Sequence, residues 1–449
     1  MSQALQNLPK TASPPVSSEA AGRPSTSQRA DVLTVFPSRL YGEVTVSGAK
    51  NSALRLLAAS LLTDDEIRLT NYPDQLLDAQ LHIEMLEQLG KRCVVTAGAI
   101  TIDEPEGLDH SLQWHKRSIR NTLLILGALT ARTGCGQVPL PGGCQIGATQ
   151  NLRQYDIHID VLEALGARVT EADGVLRAEA PDGLVGTDIQ LRVRSTGATE
   201  NALLCGSLAK GTTRIWNPHL RPEILDLIGL LRTMGADIRV FGQQRIEIDG
   251  RERLQGGTHR VIPDNVEALT WAVAAVLTDG EVEIHDFPFE HLEVPLIYLR
   301  ESGAKLFRGE RSMVVRGGNC YPLELSTGPY PGINSDMQPI LAVYGLHADG
   351  ESRFVDLRFP GRYGYAKELQ KLGGRCTIDG NLLRIHGGHP LTGTAVQALD
   401  LRAGAALALA GLIARGPTHI HDCWQILRGY SNFIEKARSL GMRVQHSDS

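Results

Sequence analysis

Met85-Leu86-Glu87-Gln88-Leu89-Gly90 closes an amphipathic run with a glycine, and the same ending returns five more times along the chain. The other copies are Val161-Leu162-Glu163-Ala164-Leu165-Gly166, Leu230-Leu231-Arg232-Thr233-Met234-Gly235 and Tyr298-Leu299-Arg300-Glu301-Ser302-Gly303, then Glu368-Leu369-Gln370-Lys371-Leu372-Gly373 and Lys436-Ala437-Arg438-Ser439-Leu440-Gly441. Their glycines are spaced by 76, 69, 68, 70 and 68 residues. Spacing so regular marks an internal repeat, not coincidental Leu-Gly pairs in an unrelated α/β chain. Each glycine suits the position just past a helix, where a left-handed backbone costs little without a Cβ. Pairs such as Arg168-Val169 and Asp237-Ile238 then open a strand.

Upstream of each ending lies a second, more apolar helix, predicted over residues 52–62, 121–131, 200–209, 266–277, 337–346 and 402–414. These stretches are rich in Ala, Leu and Gly on nearly every side, which marks helices buried inside a domain. Strands such as Thr213-Arg214-Ile215-Trp216 and Glu281-Val282-Glu283-Ile284 follow them. Six such α/β units predict two lobes of three with a cleft between. The buried helices begin with small or polar residues: Ser47-Gly48-Ala49-Lys50-Asn51, Thr196-Gly197-Ala198-Thr199, Asn334-Ser335-Asp336. If those N-termini meet at the cleft, their unpaired amides and dipoles favour an anionic ligand.

Composition narrows the function classes. The 449-residue chain is 42% apolar and carries a net charge of −5, which argues against broad nucleic-acid binding. Seven cysteines, widely spaced and without a C-x-x-C pair, read as reduced thiols of a cytoplasmic protein. No metal or organic cofactor is implied. The most apolar run, residues 403–414, is too short to span a bilayer. Residues 1–32, rich in Ser, Pro, Thr and Ala, read as a disordered, solvated tail. It lacks the apolar core of a secretory signal, and three basic residues against one acid in its first thirty positions are only a faint transit-peptide signal.

One loop stands apart. Pro141-Gly142-Gly143-Cys144-Gln145-Ile146-Gly147 presents a thiol between glycines that let the backbone move. Read alone it is a turn with an incidental thiol, or a mobile loop carrying an acid or nucleophile.

Together these strings carry a resemblance. Gly42-Glu43-Val44-Thr45-Val46-Ser47-Gly48-Ala49-Lys50-Asn51, the loop at 140–147, Gly197-Ala198-Thr199-Glu200-Asn201, Ser335-Asp336-Met337-Gln338, Asp400-Leu401-Arg402-Ala403 and Arg428-Gly429-Tyr430 resemble the enolpyruvyl transferases, in order, from about residue 34 onward. The resemblance implies a two-lobed inside-out α/β barrel of six βαβαββ-type units, one lobe over 51–262 and the other over 33–50 plus 263–449. It implies transfer of the enolpyruvyl group of phosphoenolpyruvate to a hydroxyl of a uridine nucleotide, foremost UDP-N-acetylglucosamine as in peptidoglycan synthesis, with release of phosphate. Lys50, Arg120, Arg362, Arg402 and Arg428 are then cations for the phosphoenolpyruvate anion, for which the arginine fork is suited. Singly, each reads better as a salt-bridge partner; all of them falling on motif positions reverses that. Asn51, Thr196 and Gly197 fall at substrate-binding positions. Cys144 matches the loop cysteine that donates a proton and that fosfomycin alkylates. Asp336 matches the carboxylate taken as base for the acceptor hydroxyl, or else caps the following helix. Glu223 and Asp264 also match polar cleft positions.

Three departures lie on the acceptor side. After Ala148 the run Thr149-Gln150-Asn151-Leu152-Arg153-Gln154-Tyr155-Asp156-Ile157-His158 is four residues longer than the family's nucleotide loop. Its arginine is replaced by Thr149; Asp156 and His158 remain, and Arg153 is the candidate substitute. Arg358 adds a cation where an apolar residue is usual. Val193, between Arg192 and Arg194, stands where the family has a lysine. Another anionic acceptor such as UMP, in a nucleoside-antibiotic pathway, is therefore the alternative. A shikimate-3-phosphate transferase or a non-catalytic relative ranks lower.

Overall fold

A computed structural model describes residues 31–142 and 155–448. Residues 1–30 and the stretch with Cys144 and Arg153 lie outside the described residues. The six repeat glycines, 90, 166, 235, 303, 373 and 441, all follow an outer helix and have φ between 84° and 100°. The repeat seen in the sequence is thus a repeated left-handed stop, after which the chain turns into a strand.

Each unit places its apolar helix at the centre of a lobe, with the sheet and the amphipathic helix outside it. All 13 residues of Asn265–Leu277 are buried, and so are residues 401–412 of Leu401–Ile413. Helices that are apolar all round can only be accommodated this way. The buried side chains form two separate cores. One draws on residues between Ala53 and Val261, the other on Leu33–Val46 and on residues from Val266 to Val444. The architecture is the two-lobed inside-out α/β fold, three units to a lobe.

Sheet pairing explains how the lobes close. Gly257–Arg260, at the end of the first lobe, lies parallel to Ile67–Thr70 near its start. Tyr41–Thr45 lies parallel to Glu281–His285, which follows some 240 residues later in sequence. Asp31–Val35 sits antiparallel between Thr418–His421 and Val444–Asp448. That pairing draws Asp31 and Val32 into a strand, although their neighbours' composition assigns them to the tail. The helix expected from residue 52 is Lys50–Ala59, tightening to a 3-10 turn at Ser60–Leu62.

The chain crosses between lobes twice, and the crossings are zipped together. Ala49 N–H donates to the Ile262 carbonyl at 2.7 Å, and Asp264 N–H to the Ser47 carbonyl at 2.9 Å. Asp264 accepts from the amides of Val266 and Glu267, both at 2.9 Å, and so caps the first buried helix of the second lobe. Its other oxygen accepts from Lys50 N–H at 3.2 Å. At Gly48 a Cβ would stand 1.9 Å from the Asn71 carbonyl oxygen, so only glycine fits there. Because that obstacle is backbone, Gly48→Ala should destabilise the protein by about 1–3 kcal/mol through overpacking, read as a lowered urea midpoint.

Candidate functional site

All six buried helices point their N-termini at one cavity of about 770 Å³ between the lobes. Lys50, Asn121, Thr196, Asn265, Met337 and Leu401, each at or next to the start of its helix, line it. The first-turn amides of a helix have no partner within the helix, and its dipole leaves partial positive charge there. Six such ends around one volume make it favourable for an anion before any side chain is considered.

The side chains reinforce this. Asp336 is not a helix cap: the next helix, Gln338–His347, begins after Met337, and no side chain caps it. Asp336 instead accepts from Arg362 Nη1 at 2.8 Å, and its other oxygen lies 3.6 Å from Arg402 Nε. Ser335 Oγ also accepts from Arg362 Nη1, at 3.1 Å. Burial by itself would push Asp336 up, but Arg362 and Arg402 outweigh it and hold the carboxyl far below the usual range. Arg362 lines the cavity; Arg402 lies directly behind it, 1% exposed, over the Tyr430 ring. Arg362 Nε and Nη2 and Arg402 Nε and Nη1 are buried without hydrogen bonds among the described residues; Arg362 Nη2 has only a long ion pair, at 3.5 Å, to Asp400 Oδ2. An unmet buried donor is costly, and these are charged. A carboxylate or phosphate is the group that would satisfy them.

A second cluster joins the lobes. Asp78, on the outer helix Leu77–Gln88, pairs with Lys50 Nζ at 2.9 Å and with Arg428 Nε and Nη2 at 3.0 and 3.2 Å. Arg117 Nη2 adds a contact at 3.3 Å and stacks over Trp424. Arg428 and Trp424 belong to the second lobe, Asp78 and Arg117 to the first. Burial opposes the Asp78 charge, but Lys50 and Arg428 overcome it and lower its pKa strongly. Lys50 is lowered by burial and by Arg428 and Arg402, against the pull of Asp78.

The other half of the cavity is built differently. Asp156 meets Arg192 at 2.5 Å on the rim. Arg221 and Glu223 form a bidentate buried pair at 2.7 and 2.8 Å. Tyr330 N–H, from the second lobe, donates to His219 Nε2 at 3.4 Å, which leaves Nδ1 to bond Thr196 Oγ1 at 2.9 Å. Burial, with Arg221 and Arg358, lowers His219 to about 4, so the ring is neutral at ordinary pH. Arg358 lies over Phe359; Asp356 supports its charge from nearby, but no ion pair holds its guanidinium among the described residues. At Gly197 a Cβ would come within 2.6 Å of His158 Nε2; glycine lets this helix start pack on a histidine lowered to about 3 by burial and by Arg120.

Of the residues singled out in the sequence, Lys50, Asn51, Arg120, Asp156, Thr196, Gly197, Asp336, Arg358, Arg362 and Arg428 line this single cavity. Cys144 and Arg153 lie outside the described residues. Asp264 serves the lobe junction, and Glu223 lies behind Arg221. Asp78, Arg221 and His219 were not legible, since each acts through partners distant in sequence. Asp78→Asn leaves three cations facing one another and should cost about 3–5 kcal/mol in urea unfolding at neutral pH. Inorganic phosphate should raise the melting temperature more in this variant than in the parent, because the anion replaces lost charge. With its folded pKa depressed, Asp78 stabilises fully above its ordinary value of 3.8, and that contribution fades as pH falls toward the folded value.

Residues 36–437 match the family model described as EPSP synthase (3-phosphoshikimate 1-carboxyvinyltransferase). The chain is 40% identical over 411 residues to UDP-N-acetylglucosamine 1-carboxyvinyltransferase 2 of Carboxydothermus hydrogenoformans, covering 91% of this chain and 97% of that protein. It is 39% identical over 424 residues to the UDP-N-acetylglucosamine 1-carboxyvinyltransferase of Caulobacter sp. K31, with 91% and 95% covered. Among solved structures it is similar to the enolpyruvyl transferase NikO from Streptomyces tendae, with a TM-score of 0.85 at 27% identity over 94% of this chain and all of that one. EPSP synthase from Acinetobacter baumannii shares the fold at a TM-score of 0.73 and 19% identity, over 93% of this chain and 100% of that one. The six-unit fold and the cation-lined cleft thus belong to a member of the EPSP synthase/enolpyruvyl transferase family, and the chain is a 1-carboxyvinyltransferase.

Proposed function

We propose that the protein transfers the enolpyruvyl group of phosphoenolpyruvate to a hydroxyl of a uridine nucleotide, UDP-N-acetylglucosamine first among them. The observation that carries this reading is the set of buried guanidinium N–H groups of Arg362 and Arg402 that Asp336 and Asp400 approach but do not hydrogen-bond. Phosphoenolpyruvate, with a carboxylate and a phosphate on three carbons, supplies acceptors for such donors, and Lys50 and Arg428 add charge nearby. The similarity to two UDP-N-acetylglucosamine transferases at about 40% identity supports the acceptor.

In the reaction the acceptor oxygen bonds to the phosphate-bearing carbon while the methylene carbon takes a proton, giving a tetrahedral adduct. Loss of a proton from the new methyl group and departure of phosphate regenerate the double bond. Asp336 is the base for the acceptor hydroxyl in this reading. Held by two arginines it is a poor base. An arriving substrate anion that engages Arg362 and Arg402 would weaken that hold and raise Asp336 toward the range where it can take a proton. The anion would thus switch on the base. Cys144, in the stretch outside the described residues, is the proposed donor to the methylene carbon.

A second reading is a smaller anionic acceptor such as UMP. Arg358, held by no ion pair among the described residues beside Arg221 and His219, favours it, because an acceptor phosphate could complete that cation. Phosphate release measured with phosphoenolpyruvate and each nucleotide decides between them; failure of every uridine nucleotide to elicit phosphate release would sink both. Asp336→Asn should lower kcat by about 10²–10⁴-fold with a much smaller change in KM. Arg358→Ala should leave KM for UDP-N-acetylglucosamine, whose diphosphate is esterified at both ends, within about 3-fold, whereas UMP, held through its terminal phosphomonoester by Arg358, should lose about 10-fold or more.

A further inference from the structure

Away from the cleft, Asp31, Cys423 and His446 bring a carboxylate, a thiol and an imidazole together, with their ligand atoms all within 4.8 Å of one another. They come from the first strand, the turn after Thr418–His421 and the last strand. Pairing of Asp31–Val35 between those two strands is what assembles them. Asp31 Oδ1 lies 2.9 Å from Cys423 Sγ and 2.7 Å from His446 Nε2, and Oδ2 accepts from Trp424 N–H. Cys423 is buried, and the two other side chains are about one-fifth exposed. The cluster is closed on one side and reachable from the other.

We propose that Asp31, Cys423 and His446 form a binding site for a borderline divalent cation of the Zn²⁺ class. Oxygen, sulfur and nitrogen donors of this kind are the protein ligands such ions take, at about 2.0–2.3 Å, and a tetrahedral centre sets its ligand atoms roughly 3.3–3.5 Å apart. The present separations of 2.7 and 2.9 Å need only side-chain rotation by less than about 1 Å to open that far. Charge also matches: the Asp31 carboxylate and a Cys423 thiolate balance the ion, and His446 binds neutral through Nε2. Entry of the ion releases the thiol proton to solvent and moves the imidazole proton to Nδ1; no electron is transferred. Water takes the fourth position on the open side. The ligands lie 392 and 415 residues from Asp31 in sequence, so no spacing motif reveals them. Occupancy clips the strand Asp31–Val35 to the strand Val444–Asp448, and it fixes the turn that leads into Arg428. The competing account is a plain hydrogen-bonded triad in which Asp31 accepts from the thiol and the ring.

The test uses the full chain, reduced and stripped by chelator, titrated with Co²⁺ and then Zn²⁺. One equivalent of Co²⁺ should produce a near-ultraviolet thiolate-to-cobalt charge-transfer band with the strong visible bands of four-coordinate Co²⁺, and Zn²⁺ should abolish both. Cys423→Ser should remove the charge-transfer band, while Cys144→Ser should keep it. His446→Gln, at a partly exposed strand position, should weaken Co²⁺ binding by about 10-fold or more. No charge-transfer band in the parent, or a band that survives in Cys423→Ser, overturns the site. Should Cys423→Ser fail to fold, unchanged Co²⁺ affinity in His446→Gln overturns it equally.

Discussion

Six helix N-termini aimed at one volume are the constraint on which the rest of this molecule depends. A helix apolar on every face has to be enclosed, and enclosing three in a lobe leaves their ends as the only polar exits. Those ends carry unpaired amides that must meet water, a cap or a ligand. Asp264, Asp400 and Ser195 cap three of them from their own chain. The lobes then face each other across the remaining positive ends, and the cleft is anion-seeking because of how the core is packed. Lys50, Arg362, Arg402 and Arg428 intensify a field that the backbone already sets.

So much positive charge has to be held in place without substrate. Two aspartates do this in different ways. Asp78 ties Lys50 and Arg428 together, so it fixes where the second lobe's arginine sits relative to the lysine that opens helix Lys50–Ala59. Asp336 occupies Arg362 and approaches Arg402 but leaves several of their donors unmet. Asp78 is therefore a fastening, and Asp336 is a partial stand-in for the anion. The same carboxylate is depressed by the two arginines that a bound anion would take over, so anion binding and the protonation of Asp336 are linked through one pair of side chains.

The fold was legible because its signal is local and repeated. Gly90, Gly166 and their four counterparts each mark a helix stop by a backbone property that only glycine supplies cheaply, and all six show the positive φ expected. The buried helices were legible from composition, though their ends shifted by a residue or two where caps and 3-10 turns decide. The lining residues were legible where they stand at helix starts, as Lys50 and Thr196 do. Asp78, Arg221 and His219 were not, because a salt bridge between helices or a histidine between lobes depends on tertiary pairing with no sequence period. The Asp336 cap is the instructive miss: position before a helix favours capping, but two guanidinium groups compete for the same oxygens and win on charge.

The two halves of the cleft obey different rules, and this bears on how the chain differs from its relatives. The half around Asp336 is held by buried, mutually dependent charges, where changing any one strands the others. The half around Asp156, Arg192 and Arg358 is nearer solvent: Asp156–Arg192 is a rim pair with both partners about half exposed, and no ion pair holds Arg358 among the described residues. Exposed pairs contribute little to stability, so substitutions there are tolerated by the fold. Variation is therefore tolerated best in this exposed half, where Arg358 and Val193, at the replaced lysine position, are found. The physics of burial separates the mutually dependent charges from the adjustable rim, within one cavity.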